Sequence, residues 1–250
     1  MAEWPDKSRL CTLMELRELR NLDEFGGIDG LLEKLHTGPA GISDATLLTE
    51  QRHEYYGKNE MAKPKTKSFL RLWFEAFLDT TLIILLVLAI ISLVIALAVE
   101  HGENLSWLDG TAILVTVIVV TLVSSINTWS QERQFQKLNE RQKDRTILVT
   151  RNGQPTQISI FDLMVGDIVT ILTGDVIAAD GLCIESNNIQ CDEAPMTGES
   201  DLIRKSPEKM PFMLCGCKVQ TGTGHMLCVA VGMNTQFGIL KQAIITSTQV

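Results

Sequence analysis

Two apolar blocks interrupt an otherwise mixed chain and set its organisation. Residues 80–99 read TTLIILLVLAIISLVIALAV, twenty residues without a charge. At 1.5 Å per residue a helix of that length covers about 30 Å, the hydrocarbon thickness of a bilayer. Residues 110–129 read GTAILVTVIVVTLVSSINTW, again uncharged, and acids bracket both blocks: Asp79 and Glu100, then Asp109 and Glu132. One such block alone fits a buried soluble helix. Two, joined by the short link 100–109, predict a transmembrane hairpin with spans at 80–99 and 110–129. The second pattern does not stop cleanly. SQERQFQKLNERQKDR, residues 130–145, continues as a charge-mixed helix. It reads either as a solvated helix end or as a stalk that carries force out of the membrane.

Residues 1–79 read as a cytosolic region of short helices. SRLCTLMELRELRNL places Leu10, Leu13, Met14 and Leu16 at helical spacing. Ser43 is placed to cap DATLLTEQRHEYY, with Gly57 as a stop. AKPKTKSFLRLWF is basic and then aromatic, which suits a helix at a lipid surface and makes Lys63 to Arg71 a candidate contact for anionic lipid. A plain polar entry into the first span has the same pattern. After Arg145 the period drops to two. TILVTRNGQPTQISI holds Asn152-Gly153 between two strand-like runs, a strong hairpin signal. GDIVTIL, GDVIAADGLCIES and GHMLCVAVG follow, with Gly and Asp at the breaks. Short strands over residues 146–240 predict a small β-sandwich or distorted jelly roll. Residues 241–250 read as the start of a linker. The fold class is thus an α+β membrane protein: a helical hairpin plus a cytosolic β domain.

Charge narrows the functions. A net charge of −8 argues against nucleic-acid binding. The link 100–109 has no Lys or Arg, whereas Lys63, Lys65, Lys67 and Arg71 precede the hairpin and Arg133, Lys137, Arg141, Lys143 and Arg145 follow it. The positive-inside rule then places both termini in the cytosol. MAEWPDKSRL has no apolar core, so no signal peptide is expected. The six cysteines show no CxxC spacing. Cys215-Gly216-Cys217 lacks a second pair at finger spacing, and reduced, mostly buried thiols are the expectation.

The chemistry gathers in CDEAPMTGESDLIRK, residues 191–205. VGDIVTILTGDVIAADG, then CDEAPMTGES, then a Gly-rich strand pair ending VGMNTQFG, resembles the actuator domain of P-type cation-transporting ATPases. A membrane hairpin just before that domain is the family's order. LMELR, LLEKLHTGPAGIS, FLRLWFEAFLDTTLIILLVLAIISL and INTWSQERQFQKL make the chain similar to the plasma-membrane-type calcium pumps. Well-known members of that branch are regulated by calmodulin, but the first forty-five residues do not form a strongly basic amphipathic helix.

The resemblance implies a role for each residue of the motif. Family members phosphorylate an aspartate in another domain and then hydrolyse the acyl phosphate. The TGES loop swings in, and its glutamate, here Glu199, aligns and deprotonates the attacking water. Gly198 would let the backbone approach the phosphate. Thr197 and Ser200 would orient the loop or the water. Ala194-Pro195 depart from the Ser-Ser usual in calcium pumps, and Pro195 stiffens the approach.

DKTGT, a PEGL-like break, a nucleotide domain and a third span are not found in the 250 residues. The expectation is therefore the front part of a pump that exports Ca2+ from the cytosol across the plasma membrane, or into a vacuole or other endomembrane compartment. Mg2+ and ATP belong to the full-length family, and this portion is expected to bind neither. Its partners would be the membrane and the remaining pump domains. Two other readings stay open: a non-catalytic membrane protein that regulates an intact pump, and a pump for another cation.

Overall fold

The computed structural model describes residues 4–43, 49–61, 68–99, 107–143 and 145–247. They fall into two compact units, Met1–Pro64 with Asp144–Val250, and Lys65–Lys143. Residues 68–79, which lie ahead of the first apolar block, cluster with the apolar helices rather than with the rest of the N-terminal region.

In the helical unit, α5 spans Phe69–Phe77, α6 Thr80–Val99 and α7 Trp107–Lys143. The axis turns by 68° between α5 and α6. Asp79 supplies the restart, since its Oδ1 accepts the amides of Thr81 at 2.9 Å and Leu82 at 3.4 Å, as an N-capping acid does. The second apolar block and its polar extension form one unbroken helix of 37 residues. Gly110–Leu138 is long and apolar enough to cross a membrane, and α5 with α6 qualifies as a second span if the bent pair counts as one. Helices α6 and α7 touch through small residues. A Cβ on Gly110 would lie 3.1 Å from Leu93 Cα, and Ala89 is fully buried. Thr121 and Ser125 are buried on α7 and donate to carbonyls of their own helix, Ile118 at 2.9 Å and Thr121 at 2.7 Å. Trp73 Nε1 adds a 3.3 Å bond to Thr121 Oγ1.

The other unit is built on an antiparallel sheet. Its strands are β1 (Thr146–Arg151), β2 (Gln154–Ser159), β3 (Ile168–Ile171), β4 (Asp180–Asp192), β5 (Leu202–Arg204), β6 (Phe212–Met213) and β7 (Lys218–Ala230). The order is β2-β1-β3-β7-β4-β5, and β6 pairs with the first residues of β4. Six of the strands follow one antiparallel path, and β6 branches from it at β4. Four register shifts along the β4–β7 pair act as bulges that twist and bend it. Asn152 and Gly153 join β1 to β2 with φ of 52° and 71°, the conformation the Asn-Gly signal demands.

The N-terminal helices share this unit's core. They are α1 (Lys7–Leu16), α2 (Leu19–Asp23), α3 (Gly27–Lys34) and α4 (Thr49–Tyr56). Leu10, Leu13, Met14, Leu31 and Tyr56 pack in one cluster with Val165, Ile168 and Val229. Leu16 departs from the expected face. It is 52% exposed, because α1 ends there and Arg17 turns left-handed. The Ser43 cap pairs with residues 44–48, which lie outside the described residues, as do Lys63, Lys65 and Lys67. Gly57 does end α4, at φ +88°. Polar clamps fix the N-terminal segments. Arg52 is buried and donates to Val165 O at 2.9 Å and Leu35 O at 2.8 Å. Asn59 donates to Ile160 O at 2.8 Å and accepts from Gly232 N at 2.8 Å.

Candidate functional site

Residues 193–201 connect β4 to β5, and the paired ends Asp192 and Leu202 set the width of that connection. Asp192 is anchored on both sides of its strand, pairing also with Lys218 of β7. The connection opens with one helical turn, α8 (Ala194–Thr197). Pro195 falls in its first turn, where no backbone donor is needed. Asp192 Oδ1 accepts the Ala194 amide at 3.0 Å. Glu193 O takes the amides of Met196 at 2.8 Å and Thr197 at 2.9 Å, and the Thr197 hydroxyl at 3.1 Å. Gly198 then closes the turn at φ +78°. That left-handed cap, rather than close packing, is what the structure asks of Gly198, since a Cβ there would meet nothing within 4 Å.

Thr197, Gly198, Glu199 and Ser200 are therefore brought together at an exposed loop tip. Thr197 Oγ1 accepts the Glu199 amide at 3.3 Å. This ties the glutamate's backbone to the turn and leaves its carboxylate in solvent. The tip is open while its base is tight. Met196 packs on the core, and the Glu193 carboxylate, 2% exposed, pairs with Lys205, also 2% exposed. Lys205 Nζ also donates to Phe212 O at 2.6 Å. Arg17 NH1 lies 3.7 Å from the second oxygen of Glu193. Such a loop can present a carboxylate to a group arriving from outside.

Sequence reasoning missed the carboxylates under the sheet. Asp167, in the first GD turn, is fully buried and takes a two-point contact from Arg151, 2.8 Å from Nε and 2.7 Å from the terminal nitrogen. It also accepts the Met164 amide at 2.9 Å. Asp180, in ADG, is fully buried and accepts the amides of Cys215 at 2.7 Å and Gln236 at 2.6 Å. It thereby holds the start of α9 (Gln236–Ser247) against β4. Desolvation pushes its carboxyl up to about 6. The Gly-Asp breaks had signalled turns, and nothing in their spacing distinguished a solvated aspartate from a buried one. All six thiols are free and five are buried. Burial pushes Cys183 and Cys191 up to about 11 and Cys215 and Cys217 up to about 12. Such thiols are poor nucleophiles.

Two family models match the chain. The family model "P-type ATPase actuator domain" matches residues 141–245, and "Cation transporter/ATPase, N-terminus" matches residues 23–92. The chain belongs to the P-type cation-transporting ATPase family. Its relatives are plasma-membrane calcium pumps, and it corresponds to their N-terminal, actuator-bearing part. Human plasma membrane calcium-transporting ATPase 3 is 41% identical, over 93% of this chain and 21% of the relative. Plasma membrane calcium-transporting ATPase 2 of Oreochromis mossambicus is 38% identical, over 92% of this chain and 24% of the relative. Calcium-transporting ATPase 9, plasma membrane-type, of Arabidopsis thaliana is 36% identical, over 97% of this chain and 22% of the relative. The chain thus spans about a fifth of the length of these relatives.

Proposed function

We propose that the chain is the dephosphorylating front part of a pump that uses ATP to export Ca2+ from the cytosol across the plasma membrane. In this reading Glu199 is the general base. It takes a proton from water as that water attacks an aspartyl phosphate on another domain. The P–O bond to the aspartate breaks, and phosphate leaves. The observation that carries the reading is the loop's construction: a rigid, buried base beneath an exposed carboxylate on a glycine-capped turn. Mg2+ and ATP would serve domains beyond this chain. Among the described residues no group of three or more His, Cys, Asp and Glu side chains converges as a metal site. The chemistry we assign to this part lies in the TGES loop.

The same proposal places α6 and α7 across the membrane as a hairpin with both ends cytosolic. The apolar outer faces of these helices and the uneven spread of Lys and Arg around them support it. Leu70 and Phe74 of α5 and its C-cap residue Leu78 are exposed along one stripe, at 59%, 66% and 72%. A stripe of that kind suits the lipid surface, and the basic run Lys63 to Arg71 is the candidate contact for anionic lipid.

Glu199→Gln tests the reading in an intact calcium pump whose matching part is replaced by this chain. The substitution keeps size and hydrogen-bonding reach but removes the base. Phosphorylation from ATP should survive. Decay of the phosphoenzyme should slow by about 10²–10⁴-fold, the usual general-base contribution, and Ca2+ transport should fail. Unchanged decay would reduce Glu199 to a turn residue and favour a regulator without catalytic duty.

A further inference from the structure

The residue that forms the base of the TGES loop, Glu193, is held by cations from two distant parts of the chain. Lys205 comes from just beyond β5. Its backbone is fixed by Lys205 N to Ile189 O at 2.9 Å and by Ser186 Oγ to Lys205 O at 2.8 Å. Arg17 comes from the end of α1, in the N-terminal region, and is 41% exposed. From Glu193 a continuous path reaches the tip. Its carbonyl accepts the Thr197 hydroxyl, and that hydroxyl oxygen accepts the Glu199 amide. Arg17 also stands in an uncommon backbone state, φ 53° and ψ 35°. Glycine or asparagine is usual at such a helix end, and a long side chain there carries a backbone penalty. The penalty is offset if the position is needed to aim the guanidinium at Glu193.

We propose that Arg17 and Lys205 are positioning residues for Glu199, acting through Glu193, so that the N-terminal region takes part in setting the TGES loop. This rests on the reading of Glu199 as the base, but its test does not. Lys205 is buried and neutralises Glu193, which makes it the fixed half of the arrangement. Arg17 is partly solvated, so its contribution is smaller and adjustable. Whatever displaces α1 would loosen the loop.

The test is amide hydrogen exchange of the full 250-residue chain in lipid nanodiscs. Arg17→Gln should speed exchange of the Thr197, Gly198 and Glu199 amides by about two- to five-fold, the scale of a partly exposed ion pair. The β1–β2 amides should be unchanged, which excludes general loosening. Arg17→Lys should restore slow exchange, because the charge matters and not the fork. In a Glu193→Gln, Lys205→Met background, where the buried pair is removed as a unit, Arg17→Gln should add nothing. Loop exchange indifferent to Arg17→Gln would overturn the proposal. So would equal effects of Gln and Lys, or a further increase in the paired background. If Glu199→Gln leaves phosphoenzyme decay unchanged while these exchange results hold, the base reading fails and the positioning stands.

Discussion

The two units place the same kinds of side chain in opposite positions. Around the sheet, Leu182, Val219, Met226 and Leu227 are fully buried, and the exposed tip carries Thr, Gly, Glu and Ser. In the helical unit Ile84, Leu88 and Val119 stand outward at 55%, 54% and 52%, while Ala89, Thr121 and Ser125 are buried along with Val117 and Leu72. A helix pair in water would have its large apolar residues between the helices. Here small and hydroxyl residues take several of the buried places, and many of the large apolar ones face out. That arrangement follows when the surroundings are as apolar as leucine and close packing drives association. Hydrophobicity alone does not mark an interior. What marks it is the contrast with the surrounding solvent, and under the proposed membrane hairpin the two units would differ in solvent.

Identical truncations should therefore diverge. Leu182→Ala removes a buried side chain from the sheet unit and should lower the opening free energy of the β4–β7 amides by about 2–5 kcal/mol. Leu88→Ala, in the outward face of α6, opens no cavity and should leave helix packing nearly unchanged. Exchange protection of the two regions in the full chain measures both, and equal losses would erase the distinction. A charge gives the converse test. Leu88→Asp should disfavour membrane integration by about 3 kcal/mol at mid-helix, read as a drop of about a hundredfold in the inserted-to-uninserted ratio in a translocation assay. If α6 instead faced water, the change would fall within about 0.5 kcal/mol, and insertion would not respond.

The helical unit was the more legible in sequence. An uncharged run has one dominant explanation, and α6 begins and ends where the run does, Thr80 to Val99. The continuity of α7 was legible too, because no Gly or Pro follows Gly110 before β1. Asn152-Gly153 signalled its hairpin by local backbone chemistry alone. The loop with Glu199 was found by motif, yet its one-turn helix was not, since a Pro at the start of a four-residue helix reads as a loop. Least legible were Arg17, Arg52 and Asn59. Each owes its role to partners far along the chain, as Arg52 does to Val165 and Asn59 to Gly232. Periodicity reports which face an element buries. It does not report which polar residue will be buried to satisfy another segment's backbone.

Asp180 sharpens the comparison in the smallest step, because it gives the sheet unit a pH dependence that α6 lacks. α6 carries no ionisable residue, whereas Asp180 is buried beneath the sheet with its carboxyl raised to about 6 from an ordinary 3.8. Desolvation is the main cause. The Cys215 and Gln236 amides and the Arg17 charge pull the other way. A raised carboxyl means the folded state binds the proton more tightly than the unfolded state does. The stability it supplies is then fully present below about pH 4 and is lost as pH rises through about 6. The loss is about 2–3 kcal/mol for a shift of this size. Asp180→Asn stays neutral, keeps an oxygen for one of the two amides and should remove this slope. Protection factors of the β7 amides between pH 4.5 and 7.5 measure it, with α6 as the internal control. The wild type should lose protection across that window relative to Asp180→Asn, and α6 should follow neither. Matching slopes in the two proteins would show that Asp180 ionises without cost, and that the amides of Cys215 and Gln236 compensate its burial in full.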